Sequence, residues 1–210
     1  MNTENWPIWI FPIIWLAMAI LAVAYTSFGE RFLHKELMHK KAKIFGFVFE
    51  YPFIAHTLVH HQKFRADESY CLDTHEHPEA DAATIPMKWW NGPAIVFMTT
   101  ATFPLDVALI TGMWSFVYIF AAVGLAYYGL YEWSHWCMHK PLAYKKRFIE
   151  RYPFRGKIFL YLNKHHNLHH LHMHKHFNVV CPLADLVLGT YIPESKRTPP
   201  VATAQTSNRA

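Results

Sequence analysis

Long uncharged stretches in the chain are of the length that crosses a lipid bilayer. Residues 8–28 contain no charged residue, and a bilayer core about 30 Å thick requires about 20 apolar residues in a helix. Residues 93–131 contain a single charged residue, Asp106, and are long enough for two crossings. A turn near residues 110–113 would divide them into helices over residues 93–110 and 112–131. The pattern therefore predicts three membrane-spanning helices.

A fourth apolar segment, residues 44–58, is interrupted by a glutamate, a proline and a histidine. It fits a re-entrant or interfacial segment, or a short hairpin that enters the membrane and returns. The predicted fold therefore has three to four transmembrane helices. Residues 193–210 are rich in Pro, Thr and Ser and are predicted to be a disordered tail. We expect residues 1–192 to form a single all-α domain, an integral membrane helical bundle with a histidine-rich helical cap.

The basic residues predict the orientation of these helices. All 20 Lys and Arg residues fall in residues 31–88 or 140–209, and none lies in residues 1–30 or 89–139. Because Lys and Arg collect on the cytoplasmic side of membrane spans, we expect the N-terminus outside and the cap in the cytoplasm. Such a multi-pass protein would belong to the bacterial inner membrane or the endoplasmic reticulum. A cleaved signal peptide is disfavoured, because the first span has no basic residues before it.

An excess of histidine is the most unusual feature of the composition. The chain has 16 His in 210 residues, with 52% hydrophobic and 17% charged residues, whereas average soluble domains carry about 25% charged residues. This apolar content excludes a disordered chain. Three Cys residues without a CxxC pair fit neither a disulfide framework nor a zinc ribbon. A nucleic-acid-binding module is disfavoured, because the basic residues border membrane spans.

Most of the histidines fall into four groups with the spacing of metal ligands. The groups are His34 and His39; His56, His60 and His61; His135 and His139; and His165, His166, His169 and His170. Side chains three or four residues apart on a helix are neighbours, so the last two groups each direct several imidazoles to one place. In the last group His165 could replace His166, because each has a partner four residues further on.

The first two groups have less regular spacing. His34 and His39 are five residues apart, about 140° on an ideal α-helix, so either that helix is distorted or the two residues serve different ions. The second group combines spacings of four and five residues and could serve two metals. Together, the four groups contain more imidazoles than the four ligands of a structural zinc site. Two metal ions are therefore favoured over one. Imidazole suits Fe, Zn, Cu and Ni.

The remaining histidines are predicted to lie outside the metal site. His172, His174 and His176 alternate after the fourth group and are predicted to be solvated or to attract metal loosely. His75 and His77 lie among acidic residues and indicate a polar loop. None of the 16 histidines lies inside a predicted span, so all of them can face the cytoplasmic boundary.

In this order, the four groups resemble the histidine boxes of the membrane fatty acid hydroxylase/sterol desaturase superfamily. The resemblance covers roughly residues 28–191. YEWSHWCMH, residues 131–139, is similar to the third box, and FNVVCPLADLVLGT, residues 177–190, is similar to the segment after the last box. Two features differ from the family. Its fold usually has four membrane-crossing helices, and here three residues separate His56 from His60 instead of two.

The resemblance implies an oxidoreductase, a monooxygenase that uses O2 and two Fe ions on an unactivated C–H bond of a lipid. It would hydroxylate, or desaturate, a fatty acyl chain, sphingolipid, sterol or carotenoid, and Zn could replace Fe in a purified protein. Glu132 and Asp185 are candidates for carboxylates that orient imidazole N–H groups. The implied metal ligands are His34, His39, His56, His60, His61, His135, His139, His166, His169 and His170.

Such a reaction needs electrons from a separate protein. The chain contains no GxGxxG motif and no CxxCH motif, so it lacks recognisable nucleotide-binding and haem-attachment sequences. A ferredoxin or a cytochrome b5-like protein is therefore implied. Basic residues within 140–164 could dock an acidic carrier through electrostatic steering, or they could bind anionic lipid headgroups.

Two other classes of protein also collect histidines. One is a membrane metal-ion transporter or a histidine-rich metal-binding protein without redox catalysis, and the other is a haem-binding electron carrier. Transporter sites lie near the bilayer midplane on broken helices. The predicted spans contain no His and only one Asp, which disfavours both transport and axial haem ligation.

Overall fold

The computed structural model describes residues 7–44, 46–61, 64, 91–140 and 142–193. Over these residues the chain is mostly helical, as predicted. The helices are α1 (Ile10–Leu33), α2 (Tyr51–Phe53), α3 (Asn91–Thr100), α4 (Phe103–Thr111), α5 (Ser115–Met138), α6 (Leu142–Arg151), α7 (Pro153–Leu171) and α8 (Leu183–Val187). His75, His77 and residues 194–210 of the predicted tail lie outside the described residues.

Two π-helices continue α-helices into the histidine-rich region. His34–Met38 extends α1, and Ile54–His60 extends α2. A π-helix closes hydrogen bonds between residues five apart and occurs frequently at functional sites. In this chain, the first π-helix begins at His34 and the second ends at His60.

A short β-hairpin departs from the predicted all-α fold. Strands β1 (Ala42–Ile44) and β2 (Phe47–Phe49) pair antiparallel, with Ile44 opposite Phe47. Gly46 has a φ of +86°, a left-handed conformation that glycine adopts without the steric cost of a Cβ. The hairpin occupies the start of the apolar segment 44–58, and α2 with its π-helical extension occupies the rest.

The bundle is formed by α1, α3, α4 and α5. Tyr25 and Phe120 are in edge-to-face contact, and the Tyr127 hydroxyl donates a hydrogen bond to Glu30, so α1 and α5 run parallel. α3 and α4 run antiparallel to α5, because a Cβ on Gly124 would contact Thr99 while Phe103 contacts Phe116. Both α1 and α5 therefore lead to the same end of the bundle.

The first of the two helices predicted over residues 93–131 is bent. α3 and α4 meet at an angle of 45°, and Pro104 lies in the first turn of α4, where its missing N–H is tolerated. Gly112 ends α4 with a left-handed φ of +73°, and α5 begins three residues later. The chain thus reverses where the sequence predicts a turn.

One helix is a clear candidate for crossing a membrane. Among the described residues, Ile10–Met38 is the one helix that is by itself long and apolar enough. Gly92–Thr100 and Phe103–Thr111 would form a second candidate if the bent pair is a single span. The predicted span over residues 112–131 lies mostly in α5, where tyrosines and Glu132 lower the hydropathy. The number of spans, three to four, stays a prediction.

Gly156 allows α6 and α7 to approach closely. A Cβ at this position would lie 2.8 Å from the Cα atom of Ile149 and 3.1 Å from its carbonyl oxygen. Because backbone atoms cannot yield as a side chain can, we expect Gly156→Ala to destabilise the fold by about 1–3 kcal/mol. Unfolding followed by circular dichroism in detergent measures this change. Gly129→Ala on α5, where a Cβ meets nothing within 4 Å, is the matched control, and an equal response of the two variants would contradict the prediction.

Candidate metal centre

Ten histidines gather at the common end of α1 and α5 in two groups. Cluster 1 consists of His34, His39, His56, His61 and His169, and cluster 2 consists of His60, His135, His139, His166 and His170. The candidate ligand nitrogens of cluster 1 all lie within 4.8 Å of one another, as do those of four members of cluster 2. His170 joins cluster 2 with its Nε2 atom 3.0 Å from that of His166. These are the ten residues that the sequence indicates as ligands.

The Nε2 atoms within each cluster have the spacing of ligands around one ion. In cluster 1, His34 and His56 are 2.8 Å apart, and His61 and His169 are 3.2 Å apart. In cluster 2, His139 lies 3.0 Å from His166. Two nitrogens bound to one metal at about 2.1 Å are separated by about 3.0 Å at a right angle and about 3.4 Å at the tetrahedral angle. Each cluster could therefore hold one metal ion.

The π-helices explain the irregular histidine spacings. Residues five apart share a face of a π-helix, so His34 and His39 both reach cluster 1. His56 and His61 are likewise five apart, and their Nε2 atoms lie 3.0 Å from each other in cluster 1. His60 faces cluster 2 instead. Distortion of the helix, and not service to separate ions, therefore explains the spacing of His34 and His39. The second histidine group does contribute to both clusters.

The α-helices α5 and α7 supply the remaining members. His135 and His139 are four residues apart on α5, with their Nε2 atoms separated by 3.3 Å. On α7, His166 and His170 reach cluster 2, and His169 reaches cluster 1. The clusters are adjacent, since the ring centres of His61 and His170 are 4.4 Å apart. All of these groups lie at one end of the bundle.

Hydrogen bonds at Nδ1 orient several of these imidazoles. His34 donates to the carbonyl oxygen of Phe177, and His169 donates to that of Lys175 at 2.8 Å. His170 donates to the carbonyl oxygen of Phe64. A proton on Nδ1 leaves the lone pair of Nε2 free to bind a metal, and such outer partners are typical of histidine ligands. The sequence does not reveal these acceptors, because a backbone carbonyl belongs to every residue.

The clustered histidines are neutral at pH 7. Burial, together with the nearby imidazoles, holds the pKa of His60, His166 and His169 well below the ordinary value. Burial also lowers the pKa of His39 and of His170 to about 4. Neutral imidazoles with Nε2 lone pairs facing one another suit a cation, and an all-imidazole donor set suits Fe, Zn, Cu or Ni.

Asp185 is buried beside His165, which lies outside both clusters. Its Oδ2 atom is 3.2 Å from His165 Nε2, and its Oδ1 atom accepts a hydrogen bond of 2.6 Å from Thr190. Burial by itself raises the pKa of Asp185, but these hydrogen bonds lower it to about 2. His166, rather than His165, therefore faces the metal centre. Glu132 makes no hydrogen bond to a clustered histidine within the described part of the chain.

The three histidines after α7 differ from one another. His172 and His174 are exposed, as the sequence predicts, but His176 is completely buried. The prediction of a solvated stretch is therefore wrong for His176. The physical reason is that its imidazole packs against His165, with ring centres 4.3 Å apart.

An apolar cavity of about 330 Å³ adjoins cluster 1. It lies between α1, α3 and α5, and this volume falls within the range of small-molecule sites, about 300–1,000 Å³. His34 belongs both to cluster 1 and to the cavity wall. The wall also includes Phe28, Gly29, Leu33, Met98, Tyr127 and Tyr131.

Comparisons of the chain with protein-family models, with curated proteins and with solved structures find no match.

Proposed function

We propose that the protein is a membrane di-iron oxygenase that hydroxylates, or desaturates, an unactivated C–H bond of a lipid. The observation that carries this proposal is the position of His34, which belongs to cluster 1 and lines the apolar cavity. A chain bound in the cavity would have one of its carbon atoms next to cluster 1. Resemblance to the histidine boxes of the fatty acid hydroxylase superfamily supports the same conclusion.

The residues of the chain position the metals and the substrate. Iron held at both clusters would supply the oxygen activation and hydrogen abstraction that an unactivated C–H bond requires. The π-helices and α7 hold Nε2 atoms at ligand spacing, and carbonyl oxygens outside the clusters keep the protons on Nδ1. The apolar cavity wall excludes water from the reacting carbon and orients the lipid chain.

A location in a membrane is supported by the exposed surface of the helices. Only 22% of the most apolar window of Ile10–Met38 is buried, whereas the core helix of a soluble protein would be mostly buried. Ile13, Leu16 and Ile20 on α1 and Phe97 on α3 are large, apolar and exposed. A bilayer would cover these side chains, and a lipid substrate could enter from it. We propose the orientation predicted from the basic residues, with the clusters at the cytoplasmic boundary.

The basic surface of α6 and α7 is a candidate docking site for the electron donor. Lys146, Arg147, Arg151 and Arg155 are exposed, and they could attract an acidic ferredoxin or cytochrome b5-like protein. Lys145 is buried, so it lies outside this surface although the sequence places it in the same basic run.

Lipid analysis with metal analysis tests the proposed function. The full chain is produced in cells that lack it, with and without an electron donor, and the lipids are compared by mass spectrometry under ¹⁸O2. We expect a lipid that gains one ¹⁸O atom, or that loses two hydrogen atoms, only when the chain is present. The purified protein should contain two Fe ions per chain. Unchanged lipids in iron-loaded cells that supply a donor would contradict the proposal.

A metal-binding protein without redox catalysis is the second candidate, since an all-imidazole donor set also suits Zn. That function predicts Zn in the purified protein and no change in any lipid. The lipid measurement therefore separates the candidates, because Zn could also replace Fe in a purified oxygenase.

A further inference from the structure

A second set of buried polar side chains lies beside cluster 1 without belonging to it. His165, His176 and Asp185 have exposed fractions of 1%, 0% and 0%. His165 lies on α7, His176 on the segment after α7, and Asp185 on α8, so the set connects these three parts of the chain. The metal centre described above uses none of them as a ligand.

Hydrogen bonds in this set have a defined direction. The backbone N–H of Ile192 donates to His176 Nε2 at 3.2 Å, so the ring proton of His176 is on Nδ1. That Nδ1–H donates to His165 Nδ1 at 2.8 Å, which leaves the proton of His165 on Nε2. His165 Nε2–H donates in turn to Asp185 at 3.2 Å. These bonds fix the orientation of both imidazole rings and the donor or acceptor role of each of their nitrogens.

The backbone of His176 is also unusual. Its φ is +56°, and no other non-glycine residue within the described ranges has a positive φ. Side chains with a Cβ rarely adopt this region, and an outlier of this kind is a reason to look for a function. The backbone N–H of His176 donates to the carbonyl oxygen of Thr190 at 3.1 Å. The main chain and both ring nitrogens of His176 are thus held in place.

The residues on either side of His176 supply acceptors to cluster 1. The carbonyl oxygen of Lys175 accepts from His169, and that of Phe177 accepts from His34. The backbone torsions of His176, together with those of Phe177, set the relative direction of these two carbonyl groups. Cluster 2 does not depend on them, since the acceptor for His170 is Phe64.

We propose that His176 is a positioning residue for cluster 1. Its side chain, anchored through His165 to Asp185, holds residues 175–177 so that two carbonyl oxygens orient His34 and His169. This inference rests on the proposed function, because it takes cluster 1 to be a metal site. It predicts that loss of the anchor weakens one of the two metal sites and leaves the other intact.

Two substitutions of His176 separate the side-chain anchor from the backbone conformation. Glycine adopts positive φ freely, so His176→Gly removes the anchor without adding strain. Asparagine tolerates positive φ, and its amide N–H can replace Nδ1–H toward His165, so His176→Asn should restore the anchor. His172→Gly is the matched control, because His172 is exposed on the same segment.

The test is a Zn²⁺ competition titration of the metal-free, detergent-solubilised full chain, with elemental analysis and circular dichroism. We expect two sites in the wild type, and in His176→Gly an affinity about 10–100-fold lower at one site only. His176→Asn and His172→Gly should resemble the wild type, with equal helix content in all four proteins.

The outcomes distinguish this inference from the proposed function. Wild-type affinity at both sites of His176→Gly would overturn the inference alone, and so would equal weakening of both sites, which indicates a general structural role. A wild-type chain that binds no Zn²⁺ or Fe²⁺ would overturn the proposed metal centre and the inference together.

Discussion

His169→Ala is expected to abolish lipid oxidation and to release the ion of cluster 1. The Nε2 atom of His169 lies 3.0 Å from that of His39 and 3.2 Å from that of His61, so it occupies a central position among the ligands. Loss of an outer partner of a ligand costs about 10–100-fold in metal affinity or activity, and loss of the ligand itself should reach or exceed the upper value. Mass spectrometry of lipids from cells with each variant measures the product, and elemental analysis measures bound iron.

The control for this variant is His172→Ala, three residues further along the chain. His172 is exposed at the end of α7, so its removal should leave both product and iron at the wild-type level. If His169→Ala kept its iron and its product, cluster 1 would not be a metal site. If it kept two Fe ions but formed no product, His169 would act on the reaction rather than on metal binding.

The histidine spacing predicts much of the candidate site. Members of one cluster that share a helical segment are four or five positions apart, and such separations survive folding because they lie within one or two helical turns. The five-residue interval between His34 and His39 indicates either a distorted helix or two different ions. The sequence could not decide between distortion and separate ions, since that depends on where the chain returns with His56 and His169.

Features that depend on distant contacts could not be predicted in this way. His176 is buried because residues 185–192 fold back over it, as the bond from Ile192 shows. In the sequence it is one member of an alternating polar run. The carbonyl acceptors of Lys175 and Phe177 carry no sequence signal at all. The sequence does not predict the β-hairpin at Gly46 either, because aromatic and β-branched residues fit a strand as well as a buried helix.

The apolar stretches predict the helices better than they predict the membrane. α1 and the reversal at Gly112 lie where the hydropathy pattern indicates. The bend between α3 and α4 and the tyrosines of α5 make the second half of the bundle less regular than two straight spans. Several of the residues at these irregular positions line the cavity. They are Thr102 at the bend and Tyr127, Tyr128 and Tyr131 on α5. The features that weaken the membrane signal are thus those that build the proposed substrate site.

Gly29→Leu is expected to weaken substrate binding while the metal centre stays intact. Gly29 lines the cavity, and a Cβ at this position meets nothing within 4 Å. A leucine side chain would therefore occupy space that the proposed lipid chain needs. Because one extra methylene group in an apolar pocket changes substrate discrimination by about 10–200-fold, product formation should fall by about tenfold or more. Mass spectrometry of the lipid product measures the loss.

The fold should tolerate this substitution. Leucine favours a helix over glycine by about 0.8–1 kcal/mol, so α1 should be at least as stable, and iron content should remain at the wild-type level. Gly129→Leu makes the same change on α5 at an exposed position with no neighbour within 4 Å, outside the cavity wall, and should leave product formation unchanged. Full activity in Gly29→Leu would mean that the lipid reaches cluster 1 by another route. Loss of iron in Gly29→Leu would mean instead that the cavity wall supports the ligands, because His34 lies five residues further along the same helix and its π-helical extension.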